Sequence, residues 1–402
     1  MIASALRPPR SAKQVFSLEH TRTVVESILG SGIHLARARS IANGVAGVLN
    51  ASKISIAAVG RACAGLAGIH RKSGIKQVDR LLSNQGVELE QVLRRWVQFV
   101  VGDTSELLIA LDWTDFAHDD HTTLYAALVP RGGRGGRATP LLWQTVRNSE
   151  LKRERTKLEL ALVERLHAII PSGVRVELIA DRGFGYQQLY ALLSTLGWDY
   201  TIRFRENIVL HEGTGPALAA AAYVPANGRA RKLVGVRVTR RNFAVPAIVM
   251  VRRRNMKEAW CLATTRAEDD AKAVLDTYAR RFTIEETFRD AKDITFGMGL
   301  SSTHIRDPNK RDRLLLLLAV AHTLLTLLGV ASEESGLDRT LKTNTSKRRT
   351  LSLFNQGILW YQALGEPATR SEQLLQLLTA YEAVLRRHSA LAQLLAFDEV
   401  VS

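Results

Sequence analysis

The sequence predicts a mixed α/β sheet covered by helices, with helical regions before and after it. Three observations lead there. Three apolar runs follow one another between residues 107 and 146, strand and helix patterns then alternate to residue 205, and apolar spacing of helical period fills both flanks. The 402 residues are 46% hydrophobic and 23% charged, enough for a buried core and unlike a collagen or a wholly disordered chain.

The first twenty residues hold Pro8 and Pro9 and no apolar stretch of signal-peptide length, so they read as a basic, disordered leader. Residues 21–29, 36–49, 54–66, 77–82 and 89–100 have helical apolar spacing. Short helices with basic surfaces can hold a helix-turn-helix, although no sharp signature marks one. The runs 107–116 (LLIALDWTDF), 122–130 and 139–146 predict strands, the last two joined across RGGRGGRA, whose glycines suit a hairpin loop. A helix over 150–169 stops at Pro171-Ser172-Gly173; strand 176–181 (VELIAD), helix 186–196 and strand 199–205 follow. Strand-like runs at 233–240, 244–251 and 259–265 make residues 207–265 a β-rich insertion. Helical pattern returns at 267–293 and 310–328, and twice between 349 and 395 after a polar linker at 334–349.

The net charge is +16, from 55 Lys and Arg against 39 Asp and Glu, and it is segregated. Residues 1–100 carry 14 basic and 5 acidic residues, residues 207–265 carry 10 and 2, and the remaining 243 sum to −1. Solvated faces explain a single run such as Arg252-Arg253-Arg254. They do not explain two basic modules on a near-neutral body, which is the footprint of nucleic-acid contact surfaces. Cys63 and Cys261, far apart in sequence, build neither a disulfide framework nor a zinc site, which fits a reducing cytosol. The uncharged run 314–331 reaches the minimum length of a membrane span, but His322, Thr323 and Thr326 interrupt it. A buried core helix is expected there, and no membrane partner.

Asp112 closes the apolar strand LLIALD and Asp181 closes VELIAD, which puts two carboxylates at the carboxyl edge of the sheet, where α/β folds bind ligands. Either one alone reads equally well as the cap of a turn. A third acid lies in DTYARRFTIEETFRDAKDI. On an unbroken helix Tyr278, Arg281, Glu285 and Lys292 fall at about 0°, 300°, 340° and 320°, so one face carries an acid between a phenol and two cations. That stripe suits neither a core nor a solvated face. It suits a metal-bound phosphodiester, with the acid on the ion and the cations and phenol on phosphates. Glu286, Arg289 and Asp290 read as surface charges, and Asp115 and Arg182 as neighbours in structural or DNA-contacting roles. His118 and His121, with Asp119 and Asp120, read as a solvated hairpin turn.

The spacing Y-(2)-R-(3)-E-(6)-K at these four positions resembles the signature of the DDE transposases of bacterial insertion sequences, in insertion-sequence family four. LDWTDF and ADRGF look like that family's two aspartate blocks, and residues 306–325 resemble the helix that follows its signature. The resemblance implies an RNase H-like core in which Asp112, Asp181 and Glu285 bind two Mg²⁺ ions, with Mn²⁺ as a substitute. Tyr278, Arg281 and Lys292 would contact DNA phosphates near the cut. It further implies a homodimer in the bacterial cytoplasm that holds the terminal inverted repeats of a mobile element on double-stranded DNA. The dimer cuts the repeats, in better understood members through a hairpin, and joins them to target DNA. The family stacks an aromatic of the insertion on a hairpin base; Trp260 is the candidate, and a buried core tryptophan is the other reading. Other RNase H-like nucleases or resolvases share the acids, and a catalytically silent descendant would keep the basic surfaces. The expected domains are a helical end-binding region at 1–100, a catalytic region at 101–332 interrupted by 207–265, and a helical region at 333–402 available for dimerisation.

Overall fold

The computed structural model describes residues 18–387, apart from 31, 52, 131–136, 214, 294–296, 344, 347–348 and 364–370. The expected leader and most of the glycine-rich hairpin loop lie outside the described residues. Five helices come first: α1 (Leu18–Leu29), α2 (Leu35–Asn50), α3 (Ile56–Ala67), α4 (Arg71–Ser83) and α5 (Leu89–Val101). Helix α4 starts six residues before its apolar pattern, because its first turn is basic and exposed while Val78, Leu81 and Leu82 supply the buried side. Helix α5 docks on the sheet through buried Trp96, whose Nε1 donates to the Pro140 carbonyl at 2.7 Å.

The sheet begins with β1 (Glu106–Phe116), β2 (His121–Leu128) and β3 (Thr139–Arg147), paired antiparallel in succession. Helices α6 (Asn148–Leu151) and α7 (Arg155–His167) replace the single helix expected at 150–169; between them Arg153 adopts a positive φ of 76°, which breaks the helical path. Strand β4 (Arg175–Ala180) then pairs parallel with β1, and after α8 (Gln187–Thr195) strand β5 (Asp199–Phe204) pairs parallel with β4. A meander followed by helical crossovers to parallel neighbours gives the mixed, helix-flanked sheet of an RNase H-like fold.

Residues 207–265 are β-rich as expected, yet they add no separate layer. Strands β6 (Val209–His211), β7 (Leu218–Ala219), β8 (Arg231–Val238), β9 (Phe243–Val251) and β10 (Trp260–Thr264) continue the same sheet. Strand β10 runs antiparallel against β5, with Cys261 opposite Phe204, and the ten strands lie in the order β3-β2-β1-β4-β5-β10-β9-β8-β6-β7.

The chain continues through α9 (Ala271–Ala279), α10 (Phe282–Lys292), α11 (Pro308–Glu334), α12 (Leu353–Ala363) and α13 (Ser371–Arg387). Asp307 caps α11 by accepting from the Asn309 amide, and Pro308 occupies the first turn, where its missing N–H costs nothing. Helix α11 is long and apolar enough to cross a membrane, but 78% of its most apolar window is buried among α2, α12, α13 and β3. Its crossing with α12 brings backbones into contact: a Cβ on Gly329 would fall 1.9 Å from the Leu353 carbonyl oxygen, and one on Gly357 1.9 Å from that of Leu325. Four consecutive residues of its first turns face four partners. Lys310 pairs with Asp79 of α4 at 2.9 Å, and Arg313 donates to the Leu82 carbonyl at 3.3 Å. Asp312 accepts from the Thr145 amide of β3 at 3.0 Å, and Arg311 is buried beside the turn between β1 and β2.

Candidate active site at the carboxyl edge of the sheet

Asp112 does not close its strand. β1 continues to Phe116 because β2 remains available to pair with it, whereas parallel pairing with β4 stops at Leu111 opposite Ala180. Asp112 therefore stands where β4 ends, and Asp181 is the next residue in register on that neighbour. Asp181 caps the short turn Arg182–Phe184, accepting from the Gly183 amide at 2.7 Å.

The third acid arrives on a helix that is not unbroken. Between α9 and α10 the Arg280, Arg281, Thr283 and Ile284 amides bond three residues back instead of four, to Thr277, Tyr278, Arg280 and Arg281. This tightened turn keeps the backbone right-handed but changes the rotation between its two sides. Tyr278 consequently turns inward. It is 1% exposed and packs with Val249, Val251, Leu262, Val274 and Leu275, its ring edge-on to Trp260 at 4.9 Å. Arg281 and Glu285 remain one turn apart on the active-site side.

Arg281 is the hub. Its Nη1 donates to Asp112 Oδ2 at 3.0 Å and its Nη2 to Glu285 Oε1 at 2.6 Å, so one guanidinium spans acids from β1 and α10. It is 7% exposed, while the Glu285 side chain is nearly half exposed. Burial pushes the Asp112 carboxyl up to about 6, Arg281 opposes that shift, and the charges of Asp181 and Glu285 add to it. Asp112 thus feels both other carboxylates, and shares one cation with Glu285.

Lys292, two turns beyond Glu285, donates to the Asp115 carbonyl at 2.6 Å and lies over the Phe116 ring at 4.6 Å. Burial holds its ammonium down at about 8, against the pull of Asp115 and Asp112. Asp115 is exposed, and Arg182 pairs with Glu258. Two other expectations are corrected. His121 is fully buried and accepts from Arg311 Nε at 3.0 Å, and Asp119 pairs with the same arginine, so of these four residues His118 and Asp120 alone stay exposed. Asp290 is 5% exposed, bonded to Arg137 at 2.6 Å with His322 at 3.7 Å, because partners distant in sequence cover that side of α10.

Beside the acids lies a cleft of about 1160 Å³, whose wall includes Arg182, Arg203, Arg253, Arg254, Lys257 and Arg280. Trp260 and Phe282 line it, their rings 6.1 Å apart. Phe282 went unnoticed in the sequence; it is 42% exposed, with Arg281 over its face at 4.9 Å. Nothing in a run of helical apolar spacing separates an apolar residue kept for a ligand from one kept for the core.

The expected donor set would suit a hard divalent cation, since all three side chains are carboxylates. In this arrangement no three such side chains among the described residues stand close enough together to hold an ion. Arg281 supplies the positive charge between two of them. A model of the transposase DDE domain matches residues 104–324, more than half of the chain, from just before β1 into α11. The chain belongs to the transposase DDE-domain family. The matched span contains Asp112, Asp181 and Glu285, and transposases of this kind act on DNA with divalent metals. No curated protein matches the chain.

Proposed function

We propose that this transposase belongs to insertion-sequence family four and moves its element by cut and paste. The observation that carries the reading is the bridging of Asp112 and Glu285 by one guanidinium, Arg281, with Asp181 in the next register position at the end of β4 and a basic, aromatic-lined cleft walled by their neighbours Arg182 and Phe282. The three carboxylates would hold two Mg²⁺ ions, or Mn²⁺ in their place; such a pair activates an attacking oxygen and stabilises the leaving one. Water attacks the phosphodiester at the element end, the P–O3′ bond breaks, and the 3′ oxygen leaves and is protonated. That hydroxyl then attacks a second phosphodiester: its oxygen bonds to phosphorus as its proton departs, the P–O3′ bond of the attacked strand breaks, and that 3′ oxygen leaves and is protonated.

The chain's own residues position these steps. Asp112 and Glu285 would hold the metal charge, and Arg281, whose fork now spans them, would be free to take a phosphate, with Lys292 holding a second one. Tyr278 fixes the Trp260 ring from behind, and Trp260 with Phe282 offers flat apolar faces to a base displaced from the stack. Residues 1–100 bind the terminal inverted repeats, residues 333–402 serve dimerisation across two ends, and the work is done on the nucleoid in the cytoplasm.

The test incubates the protein with Mg²⁺ or Mn²⁺ and labelled DNA carrying the sequences that flank its gene, beside a Glu285→Ala control. Joined 3′ ends on denaturing gels, absent in the control, are the expected result. Metal-dependent nicking without joining would mean an RNase H-like nuclease, and binding without cleavage a silent descendant.

A further inference from the structure

We propose that α3 and α4 form a helix-turn-helix whose second helix enters the major groove of B-form DNA and reads the element ends. The proposal rests on the end-binding reading given above and names the surface that does it.

The turn is built for the motif. Three residues, Gly68-Ile69-His70, separate the helices; Gly68 takes a φ of +64°, and the Ile69 amide closes back onto the Ala64 carbonyl at 3.0 Å. The helices then cross in backbone contact: a Cβ on Gly74 would lie 2.2 Å from the Gly60 carbonyl oxygen, and one on Gly60 2.4 Å from Ile75 Cα. Such a crossing has one angle. Any larger residue at either position forces the helices apart.

Helix α4 divides sharply. Gly74, Val78, Leu81 and Leu82 are buried, while Lys72, Ser73, Lys76, Gln77 and Arg80 are exposed on the other side. Lys72, Lys76 and Arg80 fall within an arc of about 80°. None of the three side chains makes a hydrogen bond or ion pair with any described residue. The helix's single acid, Asp79, borders that arc about 20° from Lys72, and Lys310 of α11 pairs with it at 2.9 Å. A face of three unpaired cations, whose one bordering acid is neutralised by a lysine of another helix, complements phosphate-lined grooves. The helix is about 20 Å long and about 10–12 Å across, and the major groove is about 12 Å wide. Lysine and arginine there suit guanine edges, and Gln77 suits adenine.

The experiment uses the full chain, two duplexes cut from the flanks of its own gene, and a shuffled duplex of the same composition. Affinity is measured across a salt series, and methylation protection reports guanine N7 in the major groove. The triple variant Lys72→Ala/Lys76→Ala/Arg80→Ala should lose flank preference by about a hundredfold, lower the salt slope by about three, and lose the protected guanines. Gln77→Ala should relax discrimination at one base pair with the slope unchanged. All four side chains are exposed, so unchanged thermal unfolding will confirm the folds. If the triple variant keeps the wild-type footprint and preference, another surface reads the ends and the proposal is wrong. If the wild type itself prefers neither flank, the end-binding reading fails first and takes this proposal with it.

Discussion

Two arginines sit among acids in this molecule, and their surroundings separate structural from functional charge. Arg311 is fully buried, paired with Asp119, donating to His121 and stacked on the Phe116 ring at 4.1 Å. Arg281 is nearly as buried, but one of its acids, Glu285, is half open to solvent and the other, Asp112, is already pushed toward protonation by burial. The first arrangement is closed, since any change strands a charge in the core. The second can exchange its cation for another wherever a phosphate takes up the released guanidinium.

The largest effect should fall on the acids. Replacing Asp112, Asp181 or Glu285 with Ala should cut cleavage by about a thousandfold or more while duplex binding persists, as gel shift and cleavage assays on the same preparations will show. Retained cleavage in any of the three would remove that residue from the site. Next comes the contrast itself. Arg311→Ala should destabilise the fold by about 3–5 kcal/mol in urea unfolding, because Asp119 loses its partner in the core. Arg281→Ala should cost only about 1–2 kcal/mol. Equal costs would break the comparison. A smaller effect sharpens it: calorimetry without DNA should find Mn²⁺ binding about tenfold tighter in Arg281→Ala, since the ion no longer displaces a guanidinium. Unchanged affinity would show that Arg281 does not compete for the acids.

The smallest effect concerns Lys292. Its ammonium, held at about 8 by burial, is lost as pH rises through that value. Between there and the ordinary lysine range the folded chain binds fewer protons than the unfolded one, so stability rises with pH while the hold on phosphate weakens. DNA affinity should therefore fall a few-fold above pH 8, and Lys292→Arg should abolish the fall.

The sheet was legible because apolar runs of strand length survive any tertiary context; the charge that interrupts the first run, Asp112, turned out to stand inside β1, while Asp181 follows β4. The break at Arg280 and Arg281 was not, since the same residue types build a four-residue or a three-residue turn and only Tyr278's burial tells them apart. The burial of Asp119 and His121 was equally hidden, because the arginine that covers them lies about 190 residues downstream. Helix α4 was half seen: its apolar side was read from residue 77 on, and the basic residues Lys72, Lys76 and Arg80, four apart, were read only as charge.

The short stretch Lys310–Arg313 makes the protein a caliper. It ties α4, the turn after β1 and strand β3 to one helix, so the helix proposed to face DNA and the carboxylates share one frame. A ruler made of protein counts base pairs: each step along the duplex is about 3.4 Å and turns the backbone by about a tenth of a revolution. The distance from recognised bases to cut phosphate is then a constant of the fold, and inserting base pairs between them would carry the cut along with the bases, or abolish it.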